Sequence, residues 1–391
     1  MTSAAPPSEV DVGQILAEVA RRRTAGVPVI PLHSGEPDFA TPAHVVEAGI
    51  AALRDGDTHY TPPGGLVELR TAVADDMREH KGIDVDPRQV IVTPGAKVAI
   101  HAAMQALCGP GDEIICLDPS YGAYAALGHL AGATVQHVPT KTDDGFSIDF
   151  EQLDRVLGPR SRLLILNFPS NPTGHVLGDD EIDGIAQLCE RYPRLLILSD
   201  EIYGRIVYDG SEFRSPATHP LVRDRTIVVD GVSKTYAMTG WRVGYAVLPT
   251  QLVEPVAQVA LDMFLCVSGA AQRAAAAALA GPQDAANAML ARYRARRERI
   301  IDGLNSIEGL RAHEPDGAFY AWVDARPLGM TSAELSLHLL AHSDVATYPG
   351  TAFGGAGEGF FRLTFATSED NISLGLERIA DAVGAVREVS A

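Results

Sequence analysis

Five short apolar runs, rich in leucine or β-branched residues, constrain the fold of this chain most: "VIVT" at 90, "EIICLD" at 113, "LLILNF" at 163, "LLILSD" at 195 and "TIVVD" at 226. Alanine-rich stretches of helical character lie between them. A strand that is apolar throughout must be covered on both faces, and helices alternating with such strands supply the cover. The pattern predicts an α/β protein with a mostly parallel central sheet. From about residue 285 the alternation changes to longer helices and isolated strands: the charged "ARYRARRERIIDGLNS", then "GAFYAWVDA", a helix from Ser332, and "EGFFRLTFATS". This predicts a second, smaller α+β domain. "AAQRAAAAALAG" reads as an ordinary buried helix, since alanine is the best helix former.

In open parallel sheets, ligands bind beyond the carboxyl ends of the strands. Here those ends run into "TPGAK", "DPSYGAY", "NFPSNPTG", "SDEIYG" and "GVSKTYAMTGWRVGY", which together describe one site. Lys234, in the last of these, follows a strand and a glycine on a loop. The chain has only three other lysines: Lys81 in the polar "REHKGIDVD", Lys141 in the turn-like "TKTDDG", and Lys97 at the start of a helix. A partly desolvated lysine has a lowered pKa and can attack a carbonyl to form a Schiff base. Local sequence leaves a surface salt bridge open as the alternative.

Arg242 stands at the entrance to the apolar "VGYAVL", where an unpaired guanidinium is costly to desolvate, so it calls for a carboxylate or a phosphate. The amides of "TPGAK", at a helix N-terminus, offer a second half of an anion site, although the glycine count is not that of a Walker or dinucleotide loop. Asp200 closes a strand and needs a helix cap or a cation, of which a protonated cofactor ring nitrogen is one. Asn171, before Pro172, is presented on a turn. Tyr121 offers a ring face for stacking, or fills the core. Arg362, inside an aromatic strand, needs a buried anion, either a structural carboxylate or that of a substrate.

Taken together, the chain resembles the class I aminotransferases of fold type I, in the branch of bacterial aspartate-aminotransferase-like enzymes. The opening of "GVSKTYAMTGWRVGY" matches the lysine signature, with arginine eight residues on and then Val-Gly. "SGEPDFATP", "THYTPPGG", "NPTG", "SDEIYG", "PDGAFY" and "FRLTFATSEDN" occur in family order over nearly the whole chain. The resemblance implies pyridoxal 5'-phosphate on Lys234, which would also shuttle the α-proton as an amino group passes from an amino acid to a 2-oxo acid in two half-reactions. Asp200 would pair with the ring nitrogen, Asn171 and Tyr203 with the ring oxygen, and Tyr121 would stack on the ring. Ser233, Arg242 and the amides of Ala96 and Lys97 would hold the phosphate. Tyr60 would reach the phosphate of a neighbouring subunit, making a homodimer part of the site. Arg362, with Asn171 and the Gly35 backbone, would clamp the substrate α-carboxylate. The implied domains are an N-terminal arm with part of the small domain (1–40), a large cofactor-binding domain (41–284) and a C-terminal small domain (285–391).

Where relatives acting on aspartate carry small hydroxyl residues, this chain reads "SEVDVGQIL" and "LDMFLCVS". Bulky Met263, Phe264 and Leu265 suggest an apolar or aromatic amino donor, while Asp11 or Asp262 leaves a cationic one open. The same residue set also serves a β-lyase, a cyclase or a decarboxylase.

Other classes fit poorly. A net charge of −18 repels nucleic acid and anionic membranes. The N-terminus, with no basic start or long apolar run, suggests neither a signal peptide nor a span, and no basic recognition helix precedes "EPDF" as a regulator built on this fold would require. No GxGxxG follows a strand, and the histidines show no metal-ligand spacing, so neither a dinucleotide nor a catalytic metal is expected. Four scattered cysteines without a CxxC pair suggest core residues in a reduced, cytoplasmic protein.

Overall fold

The computed structural model describes residues 12–390. Its central sheet has seven strands in the order Val90–Thr93, Gly244–Val247, Thr226–Gly231, Leu196–Asp200, Ser161–Asn167, Glu113–Asp118 and Thr134–Pro139. Gly244–Val247 runs antiparallel to both neighbours, and every other pairing is parallel. Alternate residues of each inner strand enter opposite cores. Ile114, Ile165, Leu198 and Ile227 pack on one side with Ile100 of helix Ala96–Leu107 and Val256 of helix Thr250–Phe264. Ile115, Leu164 and Ile197 pack on the other with Ile182 and Ile185 of helix Asp179–Arg191. Both faces are covered, as continuous apolar runs demand.

The strand Thr134–Pro139 was not legible in advance. It is an edge strand, largely solvated, and its sequence "TVQHVP" carries no apolar run.

The C-terminal part forms a four-stranded antiparallel sheet, in the order Tyr348–Pro349, Phe360–Thr364, Tyr320–Asp324 and Arg311–Ala312. Helices Asp284–Asn305, Ser332–Ser343 and Glu369–Ser390 accompany it. The N-terminal segment joins this part: Ile30–Pro31 pairs with Val345–Ala346, and Ile15 and Val19 of helix Val12–Thr24 pack with Leu340 and Ala346. The alanine-rich run forms helix Gly269–Ala280, with most of its alanines buried.

Two sequence readings change. Lys81, in the polar stretch "REHKGIDVD", is buried. It is 6% exposed, and its Nζ donates to Glu201 Oε2 at 2.8 Å and to Asp230 Oδ2 at 2.7 Å. The partners lie on distant strand ends, which no local pattern reveals. Of the cysteines, Cys116 and Cys189 are core residues, whereas Cys108 and Cys266 are only half-buried.

Candidate active site

The strand ends converge as the sheet topology requires. All of the expected site residues except Tyr60 border a single cavity of about 340 Å³.

Lys234 sits in the loop after strand Thr226–Gly231. Its Nζ donates to the Gly35 carbonyl at 2.6 Å. Among the described residues no carboxylate forms an ion pair with it, so the surface salt bridge is set aside. Burial pushes the amine down to about 8; Arg362 and Arg242 add to that, and Glu36 and Asp200 oppose it. In the unfolded chain the amine keeps its proton up to about 10.5, so the folded state is penalised below pH 8 and the penalty fades between those values. Lys234→Met is therefore expected to stabilise the ligand-free protein at pH 7 by up to about 3 kcal/mol. In urea unfolding the gain should vanish near pH 10.5; the same gain at both pH values would contradict this account of the amine.

Asp200 ends strand Leu196–Asp200 and is buried. Burial pushes its carboxyl up to about 6, while hydrogen bonds from Tyr124 and the Ile202 amide hold it back from rising further. Tyr124 Oη donates to Asp200 Oδ2 at 2.7 Å. Tyr124 is the second tyrosine of "DPSYGAY", three residues after Tyr121. Tyr121 itself borders the cavity, edge-on to Tyr124, and the Lys97 ammonium lies 5.3 Å from its ring centroid.

Arg362 is 3% exposed. Its Nη1 donates to Asn171 Oδ1 at 2.9 Å and its Nη2 to the His33 carbonyl at 2.8 Å. The rings of Tyr320, Phe353 and Tyr348 surround the guanidinium, at 4.2, 4.8 and 5.1 Å. Its Nε has no partner, and among the described residues no carboxylate reaches it. The structural salt bridge left open by the sequence is thus not made. Asn171 is fixed in turn by its amide donating to Asn167 Oδ1 at 3.0 Å, and Asn167 Nδ2 donates to the Asp200 carbonyl at 3.0 Å. Tyr203 Oη shares a 2.7 Å hydrogen bond with Tyr320 Oη.

At the other end of the cavity, helix Ala96–Leu107 begins without a side-chain cap, so its first amides, those of Ala96 and Lys97, keep their hydrogen-bonding capacity. Gly95 stands before them at φ +92°, and a Cβ there would meet Arg242 Nη2 at 2.4 Å. Gly244 permits an equally close approach, since its Cβ would lie 2.2 Å from the Ala96 nitrogen. Ser233 is buried at the same cavity. Arg242 is exposed, not desolvated as its place before an apolar run suggests. Its φ of +56° carries the side chain out of the strand's path, and its guanidinium donates to the carbonyls of Thr239 at 2.9 Å and Pro94 at 3.2 Å.

Tyr60 is 85% exposed and borders nothing in this cavity. Its loop is tied to the segment after helix Thr250–Phe264: Thr61 Oγ1 donates to the Val267 carbonyl at 3.0 Å, and Gln272 Nε2 donates to Thr61 Oγ1 at 2.9 Å. Met263, Phe264, Leu265 and Asp262 also lie off the cavity of their own chain, with Asp262 accepting from Gln258. Asp11 lies outside the described residues. Sequence reasoning missed Tyr320, Tyr348 and Asn167, which line the cavity. "LLILNF" and "GAFY" held Asn167 and Tyr320, each at or near a strand end.

The comparisons with known proteins agree with this geometry. The chain belongs to the aminotransferase class I and II family, whose model matches residues 27–379. It is 40% identical over 382 residues to a probable aspartate/prephenate aminotransferase of Thermus aquaticus, covering 97% of each chain. The aspartate aminotransferase structure of Rhizobium meliloti superposes with a TM-score of 0.92 at 35% identity, over 98% of this chain and 99% of that one. An aromatic aminotransferase of Pyrococcus horikoshii superposes at 0.90 and 35%, over 94% and 99%. The fold is that of the fold type I aminotransferases, and the protein catalyses amino-group transfer. Among the described residues no helix is long and apolar enough to cross a membrane.

Proposed function

We propose that the cavity holds pyridoxal 5'-phosphate on Lys234 and transfers amino groups between L-amino acids and 2-oxo acids in two half-reactions. The observation that carries this is Arg362, a buried guanidinium without a carboxylate, in one cavity with a lysine whose amine is depressed to about 8. The residues fit the cofactor. Asp200 is a buried carboxyl to which, among the described residues, no cation is bonded, and a ring N–H would supply one. The uncapped amides of Ala96 and Lys97, with Ser233 and Arg242, suit a phosphate. Tyr121 offers a face for the ring.

When bound, the cofactor supplies a carbon that accepts the amino group and a ring that takes up the electron pair left by the departing α-proton. The chain's residues do the rest. Lys234 Nζ would take the proton from the substrate α-carbon and deliver it to the cofactor carbon that accepts the amino group. Asn171 Oδ1 is occupied by Arg362, which leaves Nδ2 to donate to the ring oxygen, as Tyr203 Oη does. The free Nε of Arg362 and its outer nitrogens fix the α-carboxylate, with the Gly35 backbone beside it. Exposed Tyr60 reaches the phosphate in a second copy of the chain, so the working unit is a homodimer. A cytoplasmic setting and the division at 40 and 284 belong to the same reading.

The substrate side chain is assigned by elimination. Lys97, Lys234, Arg242 and Arg362 border the cavity. With Lys234 on the cofactor, Arg242 on its phosphate and Arg362 on the α-carboxylate, the Lys97 ammonium above Tyr121 is left for a second carboxylate. This shifts the expectation from an apolar donor to a dicarboxylic one, and gives Lys97 more than a backbone role. In a panel of amino donors, aspartate or glutamate should lead, and Lys97→Met should lower their kcat/KM by about 10- to 100-fold and spare alanine. Aromatic donors in the lead would restore the apolar reading. Release of ammonia and pyruvate, without recovery by a 2-oxo acid, would favour a lyase.

A further inference from the structure

Beside Asp200 lies a set of buried charges that the proposed reaction does not use. Glu201, the next residue, is fully buried. Its Oε2 accepts from Lys81 Nζ at 2.8 Å, and its Oε1 accepts from the hydroxyls of Ser199 at 2.9 Å and Ser215 at 2.5 Å. Lys81 Nζ also donates to Asp230 Oδ2 at 2.7 Å, and Asp230 Oδ1 accepts from the Gly231 amide at 2.6 Å. Lys81, at the end of helix Val67–Lys81, thus ties the residue after Asp200 to the strand that leads to Lys234. A bare carboxylate at Glu201 would repel another at Asp200, and a protein interior carries such forces over several ångströms. Burial first, and Glu201 after it, push the Asp200 carboxyl up to about 6; the bonds from Tyr124 and the Ile202 amide hold it back, and so does the charge of Lys81.

We infer that Lys81 is a positioning residue for Asp200: by pairing with Glu201 it offsets the charge next to Asp200 and keeps that carboxylate ionised to receive the ring N–H of the cofactor. This rests on the proposed use of pyridoxal 5'-phosphate. Asp200 holds a cationic ring nitrogen only once it has lost its own proton, so cofactor affinity falls as the pH drops through the Asp200 titration. Without Lys81, two carboxylates are left buried together and one takes a proton. Burial pushes Asp230 up to about 6 even with Lys81 beside it, and Asp76 adds to that, so Asp230 is the one that yields. Glu201, with two hydroxyl donors, keeps its charge, and Asp200 then holds its proton to higher pH. With Glu201 neutral instead, the Lys81 charge acts on Asp200 unopposed and the titration moves down. The charged and titratable groups facing Asp200 are Tyr124, Glu201, Lys81, Tyr203 and Lys234.

The test is the pH dependence of the dissociation constant for pyridoxal 5'-phosphate, followed by absorbance as it is added to the ligand-free protein. In wild type the affinity is expected to fall off below about pH 6. Lys81→Met should move that midpoint up and Glu201→Gln should move it down, each by about half a unit to one unit, the reach of one charge through a protein interior. The double variant, which removes both charges, should return to within about 0.2 of wild type. The titrations of Lys234 and of the free cofactor are common to all four proteins and cancel in the comparison. Each single variant also loses a buried partner and with it some stability, but a packing defect does not drive the two midpoints in opposite directions. Shifts of the same sign, no shift, or a double variant that stays with Lys81→Met would overturn the inference. If Lys81→Met does not fold, a Glu201→Gln midpoint at or above that of wild type overturns it alone. Asp200→Asn should lose the acid limb altogether; if it keeps that limb, or if wild type binds no cofactor, the proposed function itself fails.

Discussion

Lys234→Ala is expected to slow the half-reaction with an amino donor by at least about 10⁴-fold, while the protein folds and still takes up cofactor. Two roles converge on this one amine. In the proposed reaction it would form the covalent attachment and move the α-proton, and the other three lysines are poorly placed to replace it. Lys97 lies over the Tyr121 ring, Lys81 is locked between Glu201 and Asp230, and Lys141 does not border the cavity. Adding a small primary amine should restore part of the proton-transfer rate, because a diffusible base replaces the lost one without the effective concentration that the chain provides. A variant that retains wild-type half-reaction rates would remove Lys234 from the mechanism.

Arg362→Leu is expected to lower kcat/KM for α-amino acids by about 10²- to 10⁴-fold, the range set by losing one partner of a buried ion pair, about 3–5 kcal/mol. The guanidinium is already desolvated and oriented by Asn171, His33 and the flanking rings, so a carboxylate that binds there meets a prepaid arrangement. The loss should appear for every amino acid and hardly at all for an amine lacking a carboxylate. Equal losses for both would mean that Arg362 supports the fold rather than gripping the substrate. Arg362→Lys should recover only a fraction, since one ammonium cannot offer two parallel N–H donors.

The inner sheet was legible because burial on both faces forces unbroken apolar runs, and Leu163–Leu166 or Ile197–Leu198 cannot be read otherwise. The edge strand Thr134–Pro139 was not, because one solvated side removes that demand. The site was legible wherever a polar residue closes such a run: Asp200, Asn171 and Lys234 all follow strands directly or within a short loop. What stayed hidden depends on pairing across the fold. Lys81 reads only as part of a polar stretch until strand ends 120 and 149 positions away deliver Glu201 and Asp230. Tyr124 and Tyr320 read as core aromatics until their hydroxyls meet Asp200 and Tyr203. Arg242 borders the cavity but is exposed, with its backbone at positive φ, where the apolar sequence after it suggests a buried guanidinium. Side-chain selectivity was the least legible property, since Met263, Phe264 and Leu265 do not line the cavity of their own chain.

The most direct test uses the scarcity of lysine. The purified protein is loaded with pyridoxal 5'-phosphate, reduced with borohydride, digested and mapped by mass. With only Lys81, Lys97, Lys141 and Lys234 in the chain, a pyridoxyl group on Lys234, and none in Lys234→Ala, is the predicted result. A pyridoxyl group on Lys97, or none on any lysine, would contradict the assignment of the active site.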